Sequence, residues 1–326
     1  MRTVALTQAQ ADPRRFLKAL ASQEALLAIA VVVLAVAVGL YNPRFLATRN
    51  LSDVLLGNAY IAVAAVGMSM VIVSGNIDIS VGSLIGVLAT LSGTLAVGGY
   101  PVWVAWTAPI LAGVVVNAFV GGLVAYARIP SIVVTLGMLS ILKGGLISVT
   151  DGAWITNLPA DYLIAQKRLF GLPLPIYFMV VLTLLTAFWM RYSAFGRSIY
   201  AIGGNAEAAR ATGIRIETTT VAVFAIHGVF AGITAVLFAT QLQVIQSTVP
   251  PNLELTVITA SVIGGVSILG GMGTVIGSTL AALLFATIGS ALIFLNVSAY
   301  WLRAVLGLLI LVTVLADMVR RRRVAI

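Results

Sequence analysis

"FGRSIYAIGGNAEAARATGIRIE", residues 195–217, carries five charged side chains, Arg197, Glu207, Arg210, Arg215 and Glu217, between long runs of Leu, Val, Ile, Ala and Gly. That contrast decides the fold. Across all 326 residues 60% are hydrophobic and only 9% are charged, where a soluble domain carries roughly 25% charged residues. Mean hydropathy is +1.10. The chain reads as an all-α integral membrane protein, and residues 195–217 read as a segment outside the bilayer.

Within that segment "GGNAEAARATG" predicts a short helix of roughly eight residues. Gly203 and Gly204 make the turn into it. Asn205 is placed to accept from the first free amides as an N-cap. Glu207 in the first turn and Arg210 in the last both suit the helix dipole. Ala206, Ala208, Ala209 and Ala211 are strong helix formers, and Gly213 takes the left-handed position after the end. So short a helix is marginal alone and needs something to pack on. Its alanine face admits close approach by another surface; the plain alternative is a loop helix with no partner.

On either side of this segment, spans of about 20 apolar residues are expected near 24–41, 54–74, 79–97, 102–126, 131–149, 174–190, 218–240, 254–270, 272–293 and 299–317. Eight or nine spans also fit, because some neighbours are only a few residues apart. With about ten spans and an inside N-terminus, the inner segments hold Arg2, Arg14, Arg15, Lys18, Arg128, Arg191, Arg197, Arg210, Arg215 and Arg320 to Arg323. The outer loops hold only Arg44, Arg49, Lys167 and Arg168. This bias sets residues 195–217 and both termini in the cytoplasm. It also accounts for the net charge of +9 without nucleic acid. The first 23 residues read as a cytoplasmic segment without a signal-peptide cleavage site. Residues 24–317 form the transmembrane domain, with halves at about 24–149 and 174–317, a coupling loop at about 191–217 and a basic tail at 318–326.

Two glycine-rich junctions stand out. "SGNIDISVGSLIG" (74–86) follows the second span and "GGVSILGGMGTVIG" (264–277) the eighth. Their ends, "GSLIG" and "GTVIG", match in pattern, which reads as an inverted repeat of two five-helix halves; chance likeness of glycine-rich helices is the alternative. Irregular backbone in a membrane is tolerated where it lines a cavity or is buried in protein. Asn76, Asp78, Ser80, Gly82, Gly265, Ser267 and Gly271 are therefore candidate gate and pathway residues. A carboxylate at Asp78 is costly there unless paired or wet; the rival reading is a tight turn with Asp78 capping the next helix.

Four segments in order carry a family resemblance: "GNIDISVGSLIG", "ARIPSIVVTLGMLSILKGG" (127–145), "FGRSIYAIGGNAEAARATGI" and "SVIGGVSILGGMGTVIG". They resemble the permease subunits of bacterial ribose-type ABC sugar importers, over about residues 40–317. The resemblance implies an inner-membrane permease that works with ABC ATPase subunits, a periplasmic sugar-binding protein and a second permease subunit, identical or paralogous. It makes residues 204–213 the coupling helix that docks in the ATPase. There are departures. Ala118 follows Asn117 where the family usually has Gly, and Thr256 replaces a common Asp after Glu254-Leu255. "DGAWITNLPADYL" (151–163) resembles the branch that handles rhamnose or the autoinducer-2 furanose.

The remaining residues exclude other classes. The only lysines are Lys18, Lys143 and Lys167, and no G-x-x-x-x-G-K-[ST] motif exists, so the chain has no P-loop of its own. There is no cysteine and one histidine, His227. That makes no metal site, and His227 reads as a helix-packing residue. No catalytic cluster or cofactor site is expected. Lys143 and Arg303 fall within spans and snorkel; for Lys143 a carboxylate partner is the alternative. Asn117 packs or lines the path. Gln241, Gln243 and Gln246 lie in an outer loop or meet substrate. Trp103, Trp106, Trp154 and Trp301 fit an interfacial belt. The rival function is an ion-coupled secondary transporter, which wants carboxylates in mid-membrane; Asp78 and Glu254 are the only ones near such places and both lie near span ends; a membrane enzyme is a third class.

Overall fold

The computed structural model describes residues 22–324 apart from 242, 249, 251 and 299. The basic residues Arg2, Arg14, Arg15 and Lys18 lie outside the described residues, as do the side chains of Arg320 to Arg323.

Helices form at all ten expected stretches. They are α1 (Gln23–Tyr41), α2 (Thr48–Val73), α3 (Val81–Val97), α4 (Val102–Ala125), α5 (Ser131–Thr150), α6 (Leu174–Tyr192), then α7 (Ala194–Gly204) and α8 (Ala206–Ala211) in the charged segment, and α9 (Ile216–Ala239), α10 (Leu253–Ile263), α11 (Val275–Phe294) and α12 (Trp301–Val324). Among the described residues, 7 helices are long and apolar enough to cross a membrane: α1, α2, α4, α5, α6, α9 and α11. α3, α10 and the apolar part of α12 are shorter. Two short antiparallel pairs complete the fold: β1 (Trp154–Ile155) with β4 (Ile245–Gln246), and β2 (Arg168–Leu169) with β3 (Leu172–Pro173).

α2 and α9 are the most enclosed of the long helices. α9 packs on α4 backbone to backbone. A β-carbon at Gly228 would collide with the carbonyl of Gly113, and one at Gly121 would lie 2.8 Å from Phe224 Cβ. Small residues permit this approach where lipid supplies no hydrophobic drive between helices.

The expected span at 254–270 is corrected. α10 has 11 residues and ends at Ile263, about 16 Å of helix against a hydrocarbon core of about 30 Å. Gly265, Gly270, Gly271 and Gly273 all have positive φ, which a continuing right-handed helix excludes. Ile245 packs on Gly93, and the backbone nitrogen of Glu254 would sit 3.0 Å from a β-carbon on Gly82. Both glycines belong to α3, about 16 Å apart along it. Ile245 therefore lies beside the C-terminal part of α3, and Glu254 lies at the depth of its first turn.

The two glycine junctions meet. Gly271 N donates to Val73 O at 2.8 Å, so residues 74–80 and 264–274 share one end of the bundle. An inverted repeat would put equivalent breaks at opposite ends. The contact is made by Val73, Gly75, Gly270 and Gly271, outside the matched residues of "GSLIG" and "GTVIG". The start of α1 is at this end too: Gln23 Nε2 donates to Ile263 O at 2.9 Å and Thr274 Oγ1 to Glu24 Oε1 at 2.7 Å.

Candidate functional site: a charged loop seated on two helix breaks

The charged segment folds as two helices. Ser193 opens α7 by accepting from Gly196 N at 2.8 Å. Gly203 and Gly204 are the last residues of α7, inside the helix and not in a turn as expected. The chain breaks at Asn205, extended at φ −160, whose side chain accepts from Ala208 N at 3.0 Å. α8 has 6 residues, not about eight. Gly213, at φ 87, closes it, with Gly213 N donating to Arg210 O. Arg210 pairs with Glu217 across the next connection. The alanine face is also reassigned. Ala209 is only 4% exposed and anchors α8 on the body, because a six-residue helix needs a packed side to persist. Gly204, Asn205, Ala206, Glu207, Ala208, Arg210 and Ala211 point outward.

Behind this loop five glycines put three backbones in contact. A β-carbon on Gly203 would collide with Val73 O and lie 2.5 Å from Gly271 N. One on Gly270 would lie 2.8 Å from Gly75 Cα, and one on Gly271 2.6 Å from Gly204 Cα. Tyr200 OH donates to Gly273 O at 2.9 Å, and burial pushes its phenol above the ordinary value. With no side chains between them, the end of α7, the end of α2 and residues 270–273 are held without slack.

The gate candidates divide into small groups. Asn76 Nδ2 donates to Ser74 Oγ at 3.1 Å and stays at the glycine junction with Gly271. Asp78 and Ser80 are fully buried. Asp78 Oδ1 accepts from Ser80 N at 2.8 Å and Ser80 Oγ at 2.5 Å, so Asp78 does cap the turn into α3. Its other oxygen, Oδ2, faces His227 Nε2 on α9 at 3.4 Å. The two readings of Asp78 are thus not exclusive. Gly82 receives the Glu254 carboxylate, and Gly265, at φ 98, sits against Gln23. Ser267 N donates to Met272 O at 3.0 Å, closing the second break. Asn117 is buried on α4, with neither amide atom hydrogen-bonded among the described residues.

Sequence reasoning missed the role of His227. A histidine alone makes no metal site, but one buried histidine and one buried aspartate in the same bundle invite pairing. It also missed Gly75, Gly203 and Gly270, which no side-chain chemistry advertises.

At the opposite end, the loop between α5 and α6 is ordered by one tyrosine. Tyr162 is fully buried; its OH donates to Ser92 Oγ at 2.8 Å, which in turn donates to Ala105 O. Burial pushes the Tyr162 phenol up to about 12, the Ser92 hydrogen bond working against it. Trp106 Nε1 donates to Tyr162 O at 3.2 Å. β1 of this loop pairs with β4, with Trp154 opposite Gln246. Gln246 therefore belongs to a strand pair beside the C-terminal part of α3, while Gln241 Nε2 reaches Leu56 O.

A multi-pass helical bundle whose one charged loop rests on two broken helices is a membrane transport component. The chain belongs to the family described as branched-chain amino acid transport system / permease component, whose profile matches residues 50–314. It is similar to the "Autoinducer 2 import system permease protein LsrC" of Salmonella typhi, 37% identical over 297 residues, covering 91% of this chain and 86% of that protein. The protein of the same name from Shigella flexneri is 36% identical over 290 residues, covering 89% and 85%, and that from Escherichia coli O9:H4 (strain HS) is 36% identical over 290 residues. No solved structure matches the chain significantly. The expected family is borne out: this is a permease subunit of the ribose-type ABC importer class, multi-pass in the inner membrane, and a transport component rather than an enzyme.

Proposed function

We propose that this chain, paired with a second permease subunit, forms the import path for a furanose-like solute of the autoinducer-2 kind. A periplasmic binding protein delivers the solute, and separate ATPase subunits dock on α8. The observation that carries the reading is the glycine junction. Whatever moves α8 moves Gly203 and Gly204, and these touch the ends of both broken crossings. The relatives' printed role in autoinducer-2 import supports the substrate class, as does the resemblance of the 151–163 loop, which β1 joins to Ile245 and Gln246.

Ten crossings in two halves, with both termini cytoplasmic, fit the ten helical stretches. α2 and α9, the second of each half, are the two most enclosed long helices. Arg128, Arg191, Arg197, Arg210 and Arg215 lie in connections at the end where α1 begins, which supports that end as the inner one. The second permease is supported by α5, where Gly137, Ser140, Lys143, Gly144 and Ser148 are all exposed. Polar and charged groups facing lipid are costly; facing a partner across a wet path, they are not.

The test is Ala208→Trp on the exposed face of α8. The variant reaches the membrane at normal levels, loses co-purifying ATPase and loses uptake. Full ATPase recovery would end the assignment of α8. Uptake that persists with an inactive ATPase and an intact ion gradient would instead favour the ion-coupled class.

A further inference from the structure

The loop between α5 and α6 ends in a hairpin. Leu169 of β2 pairs with Leu172 of β3, and only Phe170 and Gly171 connect the strands. Phe170 has φ 48 and Gly171 φ 83. Two-residue hairpins favour positive φ at both central positions and fill the first with Asn, Asp or Gly. A bulky side chain in that conformation is an outlier. Phe170 holds it while 92% exposed, between Leu169 and Leu172, which are exposed as well.

The hairpin is fixed to the start of a helix long and apolar enough to cross a membrane. The first amide of α6, Leu174 N, donates to Lys167 O at 3.0 Å, and Tyr177 OH donates to Leu169 O at 2.8 Å. Tyr177 belongs to the first turn of α6, so the hairpin lies against the end of that helix instead of standing away from it. At 3.6 residues per turn, Tyr177 shares its face with Val181, Leu184 and Phe188, all three exposed. None of these three carries a polar group, and lipid is the cover that suits them. Lys167 and Arg168, at the base of the hairpin, are exposed and in no ion pair among the described residues.

We infer that the β2–β3 hairpin is an anchor on anionic phospholipid. Leu169, Phe170 and Leu172 enter the boundary between headgroups and acyl chains, and Lys167 and Arg168 reach the lipid phosphates. Aromatic and aliphatic side chains beside cations are the composition that settles at this boundary. Long basic side chains extend from apolar surface to a charged layer, and the negative potential of anionic lipid favours both cations. The boundary also gives the strained Phe170 a reason to stand where Asn or Gly would turn the chain at less cost. A soluble protein seated on the tip would leave Val181, Leu184 and Phe188, on the face below it, uncovered. The loop is then held at two points, by Tyr162 inside the protein and by Phe170 in the lipid.

The chain has no cysteine, so one nitroxide can be placed at a time. F170C, V181C and D161C are spin-labelled in the full-length permease and reconstituted in phosphatidylcholine vesicles with or without phosphatidylglycerol. Collision rates with oxygen and with a water-soluble nickel chelate are then compared. The oxygen-to-chelate ratio at 170 should match that at 181 and exceed several-fold that at 161, an exposed site in the same loop. A ratio at 170 equal to that at 161 overturns the inference. Chelate access at 170 that is lost only when a solute-loaded periplasmic binding protein is added assigns the tip to that protein and overturns it too. Adding K167Q and R168Q to the F170C chain should lower the ratio in vesicles containing phosphatidylglycerol and leave it unchanged in phosphatidylcholine alone. Equal ratios with and without the two cations in phosphatidylglycerol overturn the headgroup contact.

Discussion

Asp78 Oδ2 and His227 Nε2 lie 3.4 Å apart, both side chains at 0% exposure. The two atoms bring the turn after α2 face to face with the middle of α9 without meeting hydrogen-bond geometry. Asp78 serves two elements at once, because its other oxygen holds Ser80. Removing one member of a buried polar pair costs more than removing both, since the survivor keeps its desolvation penalty.

Asp78→Ala should therefore lower the thermal stability of the detergent-purified protein by about 1–3 kcal/mol. Asp78→Asn, which keeps an acceptor for Ser80, should lose less. In the double variant Asp78→Ala/His227→Leu the loss should be smaller than the sum of the single losses. Additive losses in this cycle would mean that the two groups do not interact.

Gly203 and Gly204 are neighbours with opposite tolerance. A β-carbon on Gly203 meets backbone, while nothing lies within 4 Å of one on Gly204. Gly203→Ala should retain the ATPase but uncouple it, so that binding-protein-stimulated hydrolysis and uptake fall at least ten-fold while Gly204→Ala behaves as the parent. Normal uptake by Gly203→Ala would show that the junction yields without consequence.

Ala208 and Ala209 make a second such pair. Overpacking at buried Ala209 should cost about 1–3 kcal/mol and unseat α8. Ala208→Trp, on the exposed face, should leave the melting temperature of the isolated permease unchanged. Equal melting of Ala209→Trp and Ala208→Trp would contradict the inward orientation of Ala209.

Tyr162 predicts an alkaline limit. Its phenol is raised from the ordinary 10.0 to about 12, so the folded state favours the protonated form. That contribution is complete below pH 10 and is lost as pH rises from 10 toward 12. At neutral pH Tyr162→Phe should cost about 1 kcal/mol for the bond to Ser92. The stability gap between the parent and Tyr162→Phe should shrink across pH 10–12; a constant gap would place the phenol in solvent contact.

The ten helical stretches were legible because each is dominated by apolar residues, with few charges such as Lys143 and Arg303 inside them. α10 misled because apolarity continues through "SVIGGVSILGG" past the point where glycines with positive φ end the helix; hydropathy does not register φ. α7 was hidden because "FGRSIYAIGG" is too short and too mixed to stand out from a loop. The Asn205 cap and Gly213 were readable since both act locally. The Asp78–His227 pair and the glycine junction were not, because each depends on which distant segments the bundle brings together.

The 11 residues of α10 also set the order in which the protein is made. Insertion machinery accepts apolar segments of about 20 residues as they leave the ribosome, and α10 falls well short. Its place beside α2 and α11, where Ser261 Oγ and Ser69 Oγ lie 3.3 Å apart and Ser69 bonds Ser278 at 2.6 Å, is complete only once α11 has been synthesised. Nascent chains ending before Val275 therefore lack the α11 surface on which Ser69 bonds Ser278 beside Ser261.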